Sequence, residues 1–357
     1  MTRTLVALLS VSLLAACGDG GKKTSDSAAP AQSSSSGADL TGAGATFPYP
    51  IYSKWFSDYA AKTGVKINYQ SIGSGGGIRQ LSEQTVDFGA TDAPMSDAEL
   101  AKAKGGAIMH FPTVLGAVVL IYNLPQLAQP LKLNGETVAA IYQGQITRWN
   151  DARIAALNPG LTLPASDILV VHRSDGSGTS YVFTDYLAKV SPAWAAKPGK
   201  GKEVQWPAGL GAKGNEGVAG QVKQTPGAIG YAELAYATQN KLATAMLANA
   251  GGEYVAPSIA SVTAAAAGAA ATLPANTDYR VSIVDAPGKG VYPIASFTWI
   301  IVYQKQTDAA KGKKVVDFLR WALMDGQAMA APLDYAPLPE AMRSALATRL
   351  ASLQIPQ

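Results

Sequence analysis

The sequence predicts an α/β fold, and three observations carry that expectation. Apolar runs with strand character alternate with helix-like stretches along most of the chain, and glycine-rich turns separate them. Two of the runs, residues 114–122 and 292–303, are continuous rather than alternating, as expected of strands covered on both faces. Cys17 is the only cysteine, so no intramolecular disulfide can form and the fold must rest on its apolar core.

The chain opens with Arg3 and an apolar stretch over residues 5–16, too short for a membrane span and of the length of a signal-peptide core. It ends in Leu14-Ala15-Ala16-Cys17, which resembles the bacterial lipobox; that resemblance implies a lipoprotein signal peptide over residues 1–17 with lipidated Cys17. Residues 18–39 are rich in Ser, Gly and Ala without apolar periodicity and predict a flexible tether. Residues 40–357 remain, enough for two lobes with substantial cores. The net charge is only +4, and the sole dense basic run spans residues 311–314, so nucleic-acid binding is not indicated. No later segment reaches the length of a membrane span, because residues 114–124 are too few.

Within the folded part, a short strand from Leu40 runs into Gly42-Ala43-Gly44-Ala45-Thr46-Phe47-Pro48 and then a helix pattern over residues 49–59, with Pro48 suited to a first helical turn. Thr46 and Phe47 thus lie where backbone N–H groups point outward. A second strand over residues 65–69 breaks at Ile72-Gly73-Ser74-Gly75-Gly76-Gly77, before a helix expected over residues 78–84. A third, over residues 86–90, ends at Asp92, and Ser96 and Asp97 are placed to cap the next helix. Asp92 is then a carboxylate at the carboxyl end of a strand, the edge where open α/β sheets bind ligands.

The strand over residues 114–122 is long enough to cross between lobes. Helix-like segments follow over 137–142 and 153–157, and then the apolar run 168–171 leads into His172-Arg173-Ser174-Asp175-Gly176-Ser177-Gly178-Thr179-Ser180. This reads as strand, anion-binding turn, helix. A helix start presents unpaired N–H groups and a partial positive charge, glycines admit close backbone approach, and Ser177 and Thr179 add hydroxyls. Arg173 offers a planar fork suited to an oxyanion, and Asp175 stands two residues away, where it can hold that fork. The alternation continues with a helix over 217–223, a strand over 227–231 and a helix over 232–240. An alanine-rich region over 258–273, helical in its first part, the strand over 292–303 and helices over 309–324 and 339–350 complete the chain.

Other motifs carry less. Gly209-Leu210-Gly211-Ala212-Lys213-Gly214 matches G-x-G-x-x-G, but Pro207 occupies the preceding strand position and no helix is expected to start inside it. No P-loop or G-x-S-x-G elbow is present. The only histidines, His110 and His172, lie at strand edges and read as structural, and no metal-ligand spacing occurs, so neither metal nor cofactor is expected. Asp87 and Asp175 have no spacing that would pair them as catalytic carboxylates.

Four motifs in order, Leu40 to Pro48, Ile72-Gly73-Ser74, Val86 to Pro94 and Arg173 to Ser180, resemble those of the phosphate-binding proteins of bacterial phosphate ABC transporters. The similarity extends through Pro226-Gly227-Ala228-Ile229-Gly230-Tyr231 and the closing Leu333-Asp334-Tyr335-Ala336-Pro337-Leu338-Pro339. It implies two α/β lobes joined by crossover strands, residues 40–119 plus 293–357 and residues 120–292, closing over one phosphate. It implies a ligand shell of Thr46, Phe47, Ser74, Asp92, Arg173, Asp175, Ser177, Gly178 and Thr179. It also implies no catalysis, a monomer in the periplasm, and permease subunits of a phosphate ABC transporter as partners; the lipobox, a variation on the family's usual soluble form, adds attachment to a membrane through lipid on Cys17. Two alternatives stay open: a binding protein for another tetrahedral oxyanion, sulfate or molybdate, and a secreted phosphatase.

Overall fold

The computed structural model describes residues 39–270 and 278–357, and in these the alternation of strand and helix holds. The chain opens with β1 (Leu40–Gly44), α1 (Tyr49–Thr63), β2 (Ile67–Ser71), α2 (Ser74–Ser82) and β3 (Phe88–Thr91), followed by α3 (Asp97–Leu100) and the long β4 (Ile108–Tyr122). The short β5 (Lys132–Leu133), α4 (Gly135–Tyr142) and α5 (Ala152–Leu157) precede β6 (Leu169–Arg173), α6 (Gly178–Val190), α7 (Pro192–Ala196) and β7 (Leu210–Ala212). Next come α8 (Gly214–Gln224), β8 (Ala228–Glu233), α9 (Leu234–Asn240), β9 (Ala243–Thr244), β10 (Met246–Ala248), β11 (Tyr254–Val255) and α10 (Ile259–Ala270). β12 (Ala295–Tyr303), α11 (Ala309–Leu323) and α12 (Glu340–Arg349) close the fold. The signal peptide, the tether up to residue 38, Cys17 and the end of the alanine-rich stretch lie outside the described residues.

The main sheet runs β2-β1-β3-β12-β4-β8-β6-β7, with β9 also on β4. β1 pairs in parallel with β2 and β3, and β6 in parallel with β7 and β8, so each end of the sheet is a small parallel unit of strands and crossover helices. β4 joins the two ends. Its first part, Ile108 to Ala117, lies antiparallel to β12, and its last five residues, Val118 to Tyr122, lie antiparallel to β8. All fifteen residues of β4 are buried, which accounts for the unbroken apolar run over residues 114–122. Each end has its own aromatic core. On one side Phe56 packs against Phe318 and Phe88, with ring centroids 5.5 and 6.1 Å away. On the other, Phe183 stacks on Tyr231 at 4.3 Å and meets Tyr142 edge-on at 4.8 Å. Two cores on one shared strand make this a two-lobed α/β architecture.

Pro112 sits inside β4, where a proline removes a ladder donor. The register shifts there, between Thr298 and Trp299 of the partner strand, and this irregularity absorbs the missing N–H.

Three sequence expectations are corrected. α2 begins at Ser74 rather than at residue 78, so the glycines read as a turn form its first turn. Tertiary packing overrides glycine's poor helix propensity here: a Cβ on Gly77 would stand 2.5 Å from the carbonyl oxygen of Ala43 and from Cα of Gly44. Pro48 is the cap residue of α1 and Pro50 falls in the first turn. The segment 209–214 does hold a strand, β7, and a helix, α8, does start within it at Gly214. β7 is a three-residue edge strand, made a strand by its pairing with Val171, His172 and Arg173 rather than by its own hydropathy.

Candidate functional site

The helix starts of α2, α6 and α8 and the loop after β1 come together where the two ends of the sheet meet. Each follows a strand of a parallel unit, which delivers it to the carboxyl edge. The Thr46–Phe47 loop is fixed from behind: the Tyr236 hydroxyl donates to the Thr46 carbonyl and the Tyr335 hydroxyl to the Phe47 carbonyl, each at 2.6 Å. Ser74 is the first residue of α2, and its Oγ accepts from the Asp92 backbone N–H at 3.1 Å. Asp92 follows β3 directly and is 1% exposed. Arg173 ends β6, Ser177 caps α6 by accepting from the Ser180 N–H, and Gly178 and Thr179 form the first turn of α6.

Arg173 is buried, and Asp175 holds its guanidinium in two-pronged fashion, Nε to Oδ1 at 2.8 Å and Nη2 to Oδ2 at 2.6 Å. That leaves Nη1, which donates to Thr179 Oγ1 at 3.2 Å. Burial raises the Asp175 carboxyl, but the Arg173 hydrogen bonds and charge outweigh it and hold the group below the usual carboxylate range. A buried cation locked in one orientation by a spent carboxylate is suited to a planar contact with an oxyanion.

Asp92 is the opposite case. Burial pushes its carboxyl up to about 7, although the Thr298 hydroxyl, the Arg173 charge and Ser74 each pull it down. Thr298 Oγ1 donates to Asp92 Oδ1 at 2.8 Å. The halves touch here: the Gly75 N–H donates to the Gly176 carbonyl at 2.7 Å. Only glycine fits at position 178, because a Cβ there would lie 2.4 Å from Ser74 Oγ and 2.6 Å from Asp92 Oδ2. A cleft of about 680 Å3 has Asp92 in its lining, together with Lys200, Lys202 and Arg280. Each of these cations is paired, with Asp185 at 2.9 Å, Glu99 at 2.7 Å and Asp97 at 2.8 Å respectively.

All nine residues singled out in the sequence therefore occupy one buried region. Three residues that belong with them were missed. Asn215, in the first turn of α8, bridges the halves by donating to Thr46 Oγ1 and to Thr179 Oγ1. Gly214, at the start of the same helix, donates its N–H to Asp175 Oδ1 at 3.0 Å. Thr298 reaches Asp92 from β12 beside the register shift. Both histidines are structural: His110 Nδ1 lies 2.7 Å from Asp278 Oδ2 while Nε2 accepts from the Met95 N–H, and His172 stacks on Trp206 at 4.8 Å.

Comparison with known proteins identifies the architecture. Residues 29–325 match the PBP superfamily domain. The phosphate-binding protein PstS of Xylella fastidiosa (strain Temecula1) is 48% identical over 301 residues, 84% of this chain and 81% of that protein. The chain belongs to the PstS family. A second member, the phosphate-binding protein PstS of Pasteurella multocida, is 47% identical across 84% of this chain and 86% of its own length. Among solved structures, the phosphate-binding protein from Stenotrophomonas maltophilia shares the fold, with a TM-score of 0.68 at 22% identity over 87% of this chain and 93% of that one. The two-lobed architecture expected of this family is the one described above. Among the described residues, no helix is long and apolar enough to cross a membrane.

Proposed function

We propose that this protein binds inorganic phosphate between its two lobes, residues 40–119 plus 293–357 and residues 120–292, and hands it to the permease of an ABC-type phosphate importer. The observation that carries the reading is the presence, in one buried region, of an oriented Arg173 and of Asp92, a buried carboxyl without an ion-pair partner of its own. Arg173 and the first-turn N–H groups of α2 and α6 attract an anion. Above a pH of about 7, where Asp92 is ionised, its carboxylate repels that anion unless the anion brings a proton, because an ionised carboxylate only accepts. Phosphate near neutral pH still carries a proton; sulfate has none. Thr46, Phe47, Ser74 and Asp92 approach from one lobe and Arg173, Asp175, Ser177, Gly178 and Thr179 from the other, so one anion bridges both and its binding energy favours closure. The 47–48% identity to proteins named for phosphate binding supports the same ligand.

The function is binding without turnover, in line with relatives named as phosphate-binding proteins. The protein acts as a periplasmic monomer tethered through lipid on Cys17, and the closed form is what the permease recognises. Calorimetric titration of the purified chain with phosphate, sulfate and molybdate tests the reading: tight phosphate binding with no sulfate response is expected, and equal affinities would overturn it.

A further inference from the structure

We propose that Asn215 is a specificity-determining positioning residue, which fixes the Thr46 and Thr179 hydroxyls as hydrogen-bond donors toward the bound anion. The inference rests on the phosphate-binding reading above and adds to it a residue from the α8 start. Asn215 is fully buried. Its amide orientation is not free, because Oδ1 accepts from the backbone N–H of Glu233 at 2.9 Å and a backbone N–H can only donate. The NH2 group therefore faces the site. One of its hydrogens goes to Thr46 Oγ1 at 2.7 Å and the other to Thr179 Oγ1 at 3.0 Å.

Each threonine oxygen receives a second donor. Thr46 Oγ1 accepts from the Asn215 backbone N–H at 3.1 Å, and Thr179 Oγ1 accepts from Arg173 Nη1 at 3.2 Å. A hydroxyl oxygen has two acceptor lone pairs and one proton. With both lone pairs of both oxygens filled by groups that only donate, the single polar function left to each hydroxyl is its own O–H. Neither can turn to accept a proton from the ligand. These two hydroxyls are thereby donor-only toward the ligand, which favours bare anion oxygens at their positions and leaves the anion's proton to Asp92. Asn215 achieves this through the threonines, and because Thr46 and Thr179 come from opposite lobes, the lock is complete only when the lobes are together.

Calorimetry of the full chain with inorganic phosphate, on wild type, Asn215→Ala, Thr46→Val and the double variant, tests this. A buried hydroxyl freed from its lock weakens its bond to a charged ligand, so Asn215→Ala is expected to lose about ten- to a hundredfold in affinity. In the Thr46→Val background the same change should cost clearly less, about the square root of its factor in wild type, because one of the two threonines through which it acts is gone. A purely structural asparagine would instead lower stability and give the same affinity factor in both backgrounds. Affinity within about threefold of wild type in Asn215→Ala, or a factor undiminished in the double variant, overturns the inference while phosphate binding stands. Wild type that fails to bind phosphate removes both. If Asn215→Ala gives no cooperative melt, Asn215→Ser, read by the same criteria, decides.

Discussion

Replacing Asp92 by Asn should stabilise the unliganded protein at alkaline pH while weakening its hold on phosphate. The carboxyl titrates at about 3.8 in an unfolded chain and is pushed up to about 7 by burial in the folded one. The folded state thus binds the proton more tightly. Below pH ~4 both states are protonated and Asp92 contributes nothing; from there stability falls as pH rises, and the loss is complete above about 7. A rise of about 3 pH units corresponds to about 4 kcal/mol. That value is a ceiling, since an unliganded form that opens its lobes hydrates the carboxylate. Asn keeps the shape and still accepts from Thr298 Oγ1, but has no charge to desolvate. Urea unfolding of both proteins without phosphate, from pH ~4 to ~8, should show no difference at the acid end and a gain of a few kcal/mol for Asp92→Asn at the alkaline end. The phosphate-to-sulfate affinity ratio should narrow in the same variant. A stability difference that does not change with pH would refute the account of Asp92 as a desolvated charge, and an unchanged anion ratio would refute its part in selection.

Three further outcomes are expected. Arg173→Ala should cost on the order of several kcal/mol of phosphate binding by calorimetry, and Arg173→Lys should recover little of it, because an ammonium cannot reproduce the fork that Asp175 orients. Gly178→Ala should abolish tight binding yet leave both aromatic cores folded by near-UV circular dichroism, since its Cβ would sit 2.4 Å from Ser74 Oγ and hold the lobes apart; affinity near that of wild type would contradict this. Cys17→Ser should lose lipid labelling and leave the membrane fraction with phosphate affinity unchanged, and a variant that still sediments with membranes would end the anchor proposal.

Much of the site was legible because its parts are local. Arg173 to Thr179 holds an arginine, its orienting carboxylate and a capped helix start within seven residues, so strand, turn and helix could be read without knowing the fold. The residues that escaped notice owe their role to distant chain. Asn215 meets Thr46 across 169 positions, and Thr298 meets Asp92 across 206. Thr298 did leave a trace, as a hydroxyl in an otherwise apolar strand, but nothing local says that the register shift beside Pro112 lies at its side. The glycines before α2 misled for a related reason. Alone they favour a turn; against β1 and β3 they are what lets the helix lie close enough to pack.

The place of β12 in the sheet sets an order of assembly. Residues 295–303 lie between β3 and β4, pairing with both, so strands that neighbour in sequence near the amino end are held apart until a segment some two hundred positions later arrives. The end of the sheet begun by β1, β2 and β3 therefore cannot join β4 while the chain is still emerging. The other lobe has β6, β7 and β8 in one continuous stretch and can form earlier, apart from the last part of β4 that it borrows. Contacts of such long sequence separation form slowly. The chain is thus kept short of its finished fold until nearly all of it has been made, and the sheet begun first is the last to be completed.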